Sequence, residues 1–317
     1  MVEAVVVTGG AGFIGSHTVE ALASSGAIER VVVLDSLYSG SLENLKRVSR
    51  RRAVLVRLDI SMHARRLVEE VRGAAGNLRV SGVVHLAAVV GVDEAWADPR
   101  RALETNVAGT LNVLELARVL DAERFVYASS AAVYGEPKYT PIDEMHPLEP
   151  SSLYGETKLA GEKLVWAYAR RYDIKPIALR YFNVYGPRMR DGTYAGVIYR
   201  FLKALLRGER PVVYGDGNQT RDFVYVEDVA RANLMALQKR YVGAVNIASG
   251  RETSIRELYG IVCRLLGRFV APEHRSPRGE DVRRSAASIR SAESALGWKP
   301  LTSLESGLRK TVEYYAR

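Results

Sequence analysis

A tyrosine and a lysine four residues apart are the clearest candidates in this chain for acid–base chemistry. The segment Ser-Ser-Leu-Tyr-Gly-Glu-Thr-Lys, residues 151–158, precedes a helical pattern, so Tyr154 and Lys158 should share one helical face. The pKa of a tyrosine hydroxyl is about 10, and a nearby ammonium group favours the phenolate. The pair could supply a general base, although an isolated pair of this kind more often lies half-buried at the surface.

A glycine-rich segment near the start of the chain has the spacing of a dinucleotide-binding turn. Residues 8–15, Thr-Gly-Gly-Ala-Gly-Phe-Ile-Gly, follow the first run of valines and precede a helical pattern. The dinucleotide-binding spacing is matched by Gly10, Gly12 and Gly15. A shifted form of that spacing is matched by Gly9, Gly12 and Gly15. These glycines permit a tight turn, a close approach of the backbone to pyrophosphate, and close helix-to-strand packing.

The residue that would bind the adenosine ribose is Asp35. It follows Gly15 by twenty residues, at the end of the second predicted strand. A carboxylate there accepts hydrogen bonds from ribose hydroxyls. The next five residues, Ser-Leu-Tyr-Ser-Gly, contain no arginine to receive a 2′-phosphate. NAD is therefore the predicted cofactor in preference to NADP, and the alternative for Asp35 is a turn or capping role.

Short β-branched runs alternate with longer amphipathic segments through the first half of the chain. Continuous apolar strands joined by helices indicate an α/β protein with a doubly wound parallel sheet, the Rossmann fold. Further helices are predicted near residues 195–207, 227–238, 254–266 and 304–315, and a strand near 244–248 should return to the first sheet. The glycine turn and the parallel strands predict an NAD-binding domain over residues 1–180, and the sequence becomes more irregular over 181–317.

Composition excludes several classes of protein. The 317 residues are 47% hydrophobic and 26% charged, as in an ordinary soluble globular protein, and the longest conspicuous apolar run has ten residues. That run is too short to span a membrane, and the chain begins without a basic and apolar leader, so a cytoplasmic location is expected. Cys263 is the only cysteine, which excludes an intrachain disulfide and a cysteine-based metal site. No metal is predicted.

The formal charge of +9 raises the question of nucleic-acid binding, because basic surfaces attract phosphate. The arginines are dispersed, and the densest run, residues 50–52, lies between a predicted helix and a predicted strand. Such a run is usually a solvated surface, so neither a nucleic-acid nor a membrane partner is predicted. Abundant arginine with sparse Asn, Gln, Cys and Met is typical of a thermophile or of a GC-rich genome.

Seven motifs occur in order along the chain. They are residues 8–15 (TGGAGFIG), 59–60 (DI), 85–88 (HLAA), 106–110 (NVAGT), 129–135 (SSAAVYG), Tyr154 with Lys158, and 180–187 (RYFNVYGP). Together they resemble the extended short-chain dehydrogenase/reductase superfamily, and most closely its UDP-galactose (UDP-glucose) 4-epimerase branch. The match extends from Thr8 to Asp281, and the motif set is more specific for the superfamily than for the substrate.

The resemblance implies that Ser130, Tyr154 and Lys158 are catalytic. Tyr154, helped by Ser130, would remove the proton of the sugar 4-hydroxyl while the C4 hydride passes to NAD, and Lys158 would also bind the nicotinamide ribose. The 4-keto sugar would turn and take the hydride back on its other face. The implied activity is an NAD-dependent inversion at C4 of a UDP-hexose, UDP-galactose to UDP-glucose.

The resemblance also implies a smaller mixed α/β nucleotide-sugar-binding lobe over residues 181–317 and two sets of binding residues. The cofactor set is Gly9, Gly12, Phe13, Ile14, Gly15, Asp35, Ser36, Ser39, Gly40, Asp59, Ile60, Leu86, Ala87, Ala88, Asn106, Tyr154, Lys158 and Tyr181. The UDP-sugar set is Ser130, Tyr154, Asn183, Val212, Tyr214, Arg221, Arg278 and Asp281. Arginine suits phosphate because its donors are paired, and a carboxylate suits the two ribose hydroxyls.

Two small residues bear on the reaction and the sugar. Related dehydratases typically carry a glutamate beside the active-site hydroxyl, where this chain has Ala131, and this favours epimerisation over dehydration and over decarboxylation to UDP-xylose. Aligned on Asp281, Ser285 falls where a bulky residue narrows the sugar pocket in some epimerases. A small side chain there should leave space for an N-acetyl group.

Helices near residues 99–120 and 153–172 correspond to those that form a four-helix contact in the family, so a homodimer is expected. Two alternatives to epimerisation stay open. A reductase or dehydratase of the same fold is the first, and a reductase would consume added NAD(P)H stoichiometrically. A non-catalytic NAD-binding regulator is the second, and it would hold NAD without converting any sugar nucleotide.

Overall fold

The main sheet is built from the valine-rich runs of the sequence. The computed structural model describes residues 3–190, 196–277 and 282–316. Its strands are β1 (Glu3–Thr8), β2 (Arg30–Asp35), β3 (Ala53–Arg57), β4 (Arg79–His85), β5 (Arg124–Ser130), β6 (Lys175–Tyr181), β7 (Asn183–Tyr185), β8 (Val212–Tyr214), β9 (Thr220–Arg221), β10 (Phe223–Tyr225), β11 (Gly243–Ile247), β12 (Thr253–Ser254) and β13 (Glu273–Arg275). Within these residues, seven parallel strands form one sheet in the order β11-β6-β5-β4-β1-β2-β3.

Helices separate most of these strands. They are α1 (Phe13–Ser24), α2 (Ala64–Ala75), α3 (Val92–Ala97), α4 (Pro99–Leu103), α5 (Gly109–Val119), α6 (Leu153–Arg171), α7 (Val197–Arg207), α8 (Val226–Gln238), α9 (Ile255–Leu266) and α10 (Leu304–Tyr315). The predicted helix over residues 99–120 is divided by a π-helical turn, Glu104–Ala108. A 3-10 turn, Ala131–Val133, follows β5.

Alternate residues of each strand serve the two faces of the sheet. On β1, Val5 and Val7 belong to the core that α1 and α8 cover, while Ala4 and Val6 belong to the core that α2, α5 and α6 cover. Both faces are buried, which is why these strands are continuously apolar. The predicted doubly wound parallel sheet is confirmed.

The strand order reverses at β1, which lies between β2 and β4. The carboxyl ends of parallel strands lie at the same edge of a sheet. Where the strand order reverses, the loops on either side diverge and leave a crevice at that edge. Doubly wound folds bind their ligands in this crevice. The strand ends at this edge are Thr8, Asp35, His85, Ser130 and Tyr181. The chemistry-bearing motifs of the sequence therefore begin at one edge.

The second half of the chain forms a smaller core and also contributes to the sheet. Helices α7, α9 and α10 pack around buried residues such as Phe201, Leu258 and Leu308. Strand β11 pairs in parallel with β6, and α8 packs against α1. The division at residue 180 remains a prediction. Strand β11 lies after that boundary and belongs to the large sheet, and α8 covers one face of that sheet. Among the described residues, no helix is long and apolar enough to cross a membrane.

A buried ion pair connects α6 to β6. Glu162 accepts hydrogen bonds from Arg180 Nε at 2.9 Å and Nη2 at 2.8 Å, and it also accepts one from Ser129 Oγ at 2.5 Å. Arg180 Nη1 donates to Tyr134 Oη, which donates to Asn246 Oδ1 on β11. Both members of the pair are almost fully buried. The network therefore connects β5, α6, β6 and β11 near the ligand-binding edge.

Candidate active site

The glycine turn after β1 leaves space for an anion. Gly9 has a φ of +68°, and a Cβ on Gly15 would lie 2.0 Å from Gly9 O, so neither position accepts a side chain without movement. Gly12 is the N-cap of α1, no side chain caps the helix, and its first turn contains no acidic residue. The first N–H groups of α1, including those of Phe13 and Ile14, therefore have no capping side chain, which is the arrangement that suits a pyrophosphate at a helix N-terminus.

Asp35 lies at the carboxyl end of β2 and is buried. Its carboxylate accepts hydrogen bonds from Ala11 N and Leu37 N, each at 2.8 Å. Burial raises the pKa of the Asp35 carboxyl, and these backbone donors oppose that effect. A carboxylate has about four acceptor positions, so it can accept ribose hydroxyls in addition. The glycine turn and Asp35 together fit a dinucleotide.

The loop after β2 contains three predicted cofactor residues. Ser36 is partly buried, Ser39 is exposed and Gly40 is buried. A Cβ on Gly40 would lie 2.6 Å from Asp35 Oδ1, so the loop passes directly beside that carboxylate. The structure therefore brings these positions together with Asp35.

The predicted residues after β3 and β4 lie at the same edge. Asp59 Oδ1 accepts from Ser61 N, and Ile60 is buried beneath Gly109. The backbone N–H groups of Leu86 and Ala87 donate to Thr8 Oγ1 at 3.2 and 3.1 Å.

Asn106 holds the segment that follows Ala88. Its amide donates to Val89 O and accepts from Val89 N, both at 2.8 Å, and it also donates to Thr157 Oγ1 on α6. Asn106 therefore fixes the loop after β4 relative to the first turns of α6.

The three predicted catalytic residues meet at the end of β5. Ser130 ends that strand, and its hydroxyl lies close enough to Tyr154, in the first turn of α6, to lower the pKa of that phenol. Ser152 caps α6 by accepting from Gly155 N at 3.2 Å, so the helix begins where the sequence predicted. Lys158, one turn later, is buried and donates from Nζ to Ala128 O at 2.8 Å.

Burial shifts the pKa values of both titratable residues toward their neutral forms. It raises the pKa of Tyr154 to about 12, and the hydrogen bond with Ser130 opposes this shift. It lowers the pKa of Lys158 to about 7, and the charge of Glu162 opposes that shift. The protein groups alone therefore do not lower the pKa of Tyr154, because the effect of desolvation exceeds the opposing effect of the Ser130 hydroxyl.

Four of the predicted UDP-sugar residues lie on short strands that follow β6: Asn183 on β7, Val212 and Tyr214 on β8, and Arg221 on β9. Asn183 Nδ2 donates to Asp222 O at 3.2 Å, and Val212 and Tyr214 lie on β8, which pairs with β13. Arg221 Nη1 donates to Val282 O at 2.5 Å. Arg278 and Asp281 lie outside the described residues.

Tyr181, a predicted cofactor residue at the end of β6, has its hydroxyl turned away from α6. That hydroxyl donates to Asn233 Oδ1 on α8 at 2.6 Å, and Asn233 Nδ2 donates to Thr18 Oγ1 on α1. The Tyr181 phenol therefore joins the two helices that cover one face of the sheet.

Two buried residues near the site were not among the predicted site residues. His85 bridges Thr8 Oγ1 at 2.7 Å and Thr110 Oγ1 at 3.0 Å, and burial lowers its pKa to about 3. It is therefore a neutral connector of β1, β4 and α5. Glu162 lies one helical turn beyond Lys158, and this spacing was its only sequence signal.

Known proteins resemble this chain over nearly its whole length. A crystal structure of UDP-glucose 4-epimerase from Thermotoga maritima with UDP-glucose is 38% identical, has a TM-score of 0.91 and covers 98% of both chains. UDP-N-acetylglucosamine 4-epimerase from Methanobrevibacter ruminantium, in complex with UDP-N-acetylmuramic acid, is 33% identical with a TM-score of 0.91 and covers 99% of both chains. UDP-glucose 4-epimerase of Mycolicibacterium smegmatis is 37% identical over 98% of this chain and 97% of the relative.

The sequence model of the NAD dependent epimerase/dehydratase family matches residues 5–248. The chain belongs to this family, and its cofactor is NAD; the resemblance seen in the motifs is confirmed. UDP-glucuronic acid decarboxylase 1 of Xenopus tropicalis also matches, at 32% identity over 99% of this chain and 72% of the relative. Because the relatives catalyse different reactions on sugar nucleotides, the residues of this site must distinguish among them.

Substitution of Gly15 tests the glycine turn. Gly15→Ala should remove most of the bound NAD and lower the free energy of unfolding by about 1–3 kcal/mol, because the added methyl overlaps Gly9 O. NAD content by chromatography and chemical denaturation measure the two effects. Gly73→Ala is the control, since α2 leaves nothing within 4 Å of an added Cβ there. Normal NAD content in Gly15→Ala would exclude this turn as the pyrophosphate site.

The buried Lys158 should make the stability of the cofactor-free protein depend on pH. Its pKa is lowered from 10.5 to about 7 on folding, so between these values the unfolded chain binds more protons than the folded protein. The contribution of Lys158 to the free energy of unfolding should therefore rise with pH, by at most about 1.4 kcal/mol per pH unit. Chemical denaturation from pH 7 to 10 should show a smaller rise of the unfolding free energy with pH in Lys158→Met than in the wild type. The wild-type rise should be retained when the exposed Lys163 is changed to Met. An unchanged slope in Lys158→Met contradicts the assignment.

Proposed function

We propose that this protein is an NAD-dependent epimerase that inverts C4 of a UDP-hexose and converts UDP-galactose to UDP-glucose. The observation that carries the proposal is the cluster of Ser130, Tyr154 and Lys158 at the end of β5, beside the glycine turn and with Ala131 as the next residue. The two hydroxyls suit proton removal from a sugar hydroxyl. A family epimerase with UDP-glucose shares the fold over nearly the whole chain.

Each residue of the cluster has a separate task in the proposed reaction. Bound NAD supplies the hydride acceptor and, while oxidised, a positive charge. Burial of Tyr154 raises its pKa to about 12 and so disfavours the phenolate. The positive charge of NAD would act with Lys158 to stabilise the phenolate against this effect. Tyr154 then accepts the proton of the 4-hydroxyl through, or together with, Ser130 and returns it after the keto sugar has turned. Burial of Tyr154 and Lys158 limits exchange with water.

The absence of an acid beside Ser130 favours epimerisation over the other family reactions. Elimination of water from the sugar requires a residue that donates a proton to the leaving hydroxyl. Position 131, which begins the 3-10 turn after Ser130, carries only a methyl group. Ala131 cannot perform this step, whereas inversion at C4 needs only the hydride transfer and the Tyr154 proton.

The UDP part of the substrate is assigned to the rim of the smaller lobe. We assign Arg221 and Arg278 to the phosphates, Asp281 to the uridine ribose, and Asn183, Val212 and Tyr214 to the remaining contacts. Arg221 supports this assignment because its guanidinium lies against Val282 O, and residue 282 directly follows Asp281 in the sequence. Two arginines can neutralise a diphosphate through paired donors.

Turnover of UDP-galactose tests the function. The purified protein, without added cofactor, should convert UDP-galactose to UDP-glucose, and NMR identifies the product. Tyr154→Phe should lower kcat roughly 10²–10⁴-fold while NAD remains bound, because the general base is lost. Tyr139→Phe is the matched control, since Tyr139 is an exposed residue outside the cluster. Stoichiometric consumption of NADH, or no conversion by a protein that retains NAD, would contradict the proposal.

We propose that N-acetylated UDP-hexoses are also accepted. Ser285 is buried and precedes Ala286 and Ala287, and Ala287 packs with Val133 and Phe182, which follow the ends of β5 and β6. Small residues therefore occupy a stretch close to the catalytic cluster. The UDP-N-acetylglucosamine 4-epimerase among the relatives makes this sugar class chemically plausible for the family.

Ser285→Tyr should reduce turnover of UDP-N-acetylgalactosamine while leaving turnover of UDP-galactose largely intact, because the phenol would fill the space proposed for the acetyl group. Steady-state kinetics with both sugars measure the ratio. Retained UDP-galactose turnover serves as the control for folding. Equal selectivity in the two proteins excludes this pocket argument.

We propose a homodimer formed through α5 and α6. Leu103, Leu111 and Val119 are exposed apolar side chains on α4 and α5, and Ala108 lies exposed between them. Positions 108, 111 and 119 fall on one face of the helix, so they form a stripe that a second copy could bury.

Leu111→Glu should shift the protein from dimer toward monomer in sedimentation velocity, because the charge would be buried in the contact. Leu301→Glu is the control, since Leu301 is 67% exposed and lies outside α5 and α6. A wild-type monomer at micromolar concentration would contradict the dimer.

A further inference from the structure

The loop from Ser36 to Gly40 has few bonds of its own to the sheet. Leu37, with a φ of +60°, donates from its N–H to Asp35 Oδ1, and Ser41 N donates to Ala11 O at 2.9 Å. Tyr38 and Ser39 are exposed. The loop adjoins the carboxylate assigned to the adenosine ribose, so whatever holds it also controls access to that carboxylate.

Arg190 reaches this loop from a different part of the fold. Its Nη1 donates to Ser39 O at 2.5 Å and lies 3.5 Å from Gly40 O. Burial raises the pKa of the Asp35 carboxyl, and the nearby Arg190 charge lowers it, which places this arginine within electrostatic reach of the carboxylate. Arg190 is exposed and has no part in the apolar cores.

The backbone that carries Arg190 is fixed on two sides. The neighbouring Arg188 is buried and donates to Ser16 Oγ at 3.0 Å and to Glu20 Oε1 at 2.5 Å, both on α1. Tyr315 Oη on α10 donates to Met189 O at 2.5 Å. Arg190 therefore extends from a rigid support, so its bonds to the loop restrain the loop.

A second arginine contacts the loop from α4. The guanidinium carbon of Arg101 lies 3.2 Å from the centroid of the Tyr38 ring, a stacked cation–π contact. Asp98 Oδ1 caps α4 by accepting from Arg101 N at 3.0 Å. The next residue, Ala102, is buried in the cluster that also contains Tyr154.

We propose that Arg101 and Arg190 form a clasp that holds the Ser36–Gly40 loop over the adenosine end of bound NAD and slows its release. The inference rests on the proposed placement of NAD at the glycine turn and Asp35. The proposed reaction requires such retention, because loss of NADH between the two hydride transfers would leave the sugar as its 4-keto form. Opening the loop requires the Ser39 contact and the Tyr38 stack to break.

A clasp and simple electrostatic attraction make different kinetic predictions. Two arginines could attract the anionic cofactor, and their removal would then lower the association rate and its salt dependence. A clasp acts after binding, so its removal raises the dissociation rate and leaves association nearly unchanged. Arg190→Lys separates the two roles further, since it keeps the charge but removes the Nη1 donor that contacts Ser39 O.

Exchange of bound NAD for isotopically labelled NAD, followed by mass spectrometry on the holoenzyme, tests the clasp. Release should be roughly tenfold faster in Arg190→Ala and roughly threefold faster in Arg101→Ala. The double variant should be faster than either single variant. Arg190→Lys should resemble Arg190→Ala more than the wild type. Arg100→Ala, an exposed residue paired with Glu104, and Arg207→Ala on α7 are charge-matched controls that should exchange at the wild-type rate.

The outcomes separate this inference from the function on which it rests. Release rates within about twofold of the wild type in the double variant, or an effect confined to association, overturn the clasp. Faster release with an unchanged thermal midpoint supports it. A wild-type protein that binds no NAD overturns the proposed cofactor site and the clasp together, and the NAD content of the wild type distinguishes that result from failure of the clasp alone.

Discussion

The site depends on how closely α6 lies against β5. Lys158 Nζ donates to Ala128 O, and Tyr127 Oη donates to Lys158 O at 3.3 Å. A Cβ on Gly161 would lie 2.0 Å from Tyr127 Oη, so only glycine permits this approach of helix to strand. The contact sets the position of Tyr154 relative to Ser130 at the strand end. The same contact removes Lys158 from water.

The electrostatic consequence is that burial disfavours the charged forms of Tyr154 and Lys158. A row of buried charges, Lys158, Glu162 and Arg180, crosses from α6 to β6, and Glu162 is paired directly with the arginine. Burying such groups costs free energy that the pairing offsets only in part. Because the low polarity disfavours both the lysine ammonium and the tyrosine phenolate, a modest added positive charge near Tyr154 has a large effect on its protonation. Burial thereby makes the protonation of Tyr154 sensitive to any positive charge placed beside it.

Local patterns in the sequence were sufficient for most of the fold. The predicted helix over 304–315 has the bounds of α10, and the valine runs form the parallel sheet because alternate residues on both faces are apolar. The spacing of Tyr154 and Lys158 predicted a shared helical face, and the structure places them on α6. A π-helical turn such as Glu104–Ala108 was missed, since one wider turn does not disturb the apolar periodicity.

Contacts between distant residues could not be read from local patterns. Glu162 and Arg180 are 18 residues apart, and Arg190 and Ser39 are 151 apart, so neither contact has a periodicity to reveal it. The tyrosine pKa was expected from one neighbour's charge, whereas desolvation by the whole surrounding core is the larger cause. Burial is a property of the assembled fold, so the protonation of Tyr154 and Lys158 could not be predicted from their spacing in the sequence.

The return of the chain to the large sheet through β11 affects how the protein folds during its synthesis. Strand β11 covers the outer side of β6, and α8 covers apolar residues such as Ile177 and Leu179 from one face. A nascent chain that has emerged only to residue 180 exposes an unpaired strand edge and an uncovered apolar layer. The large sheet therefore gains its last strand only after residue 247 has left the ribosome.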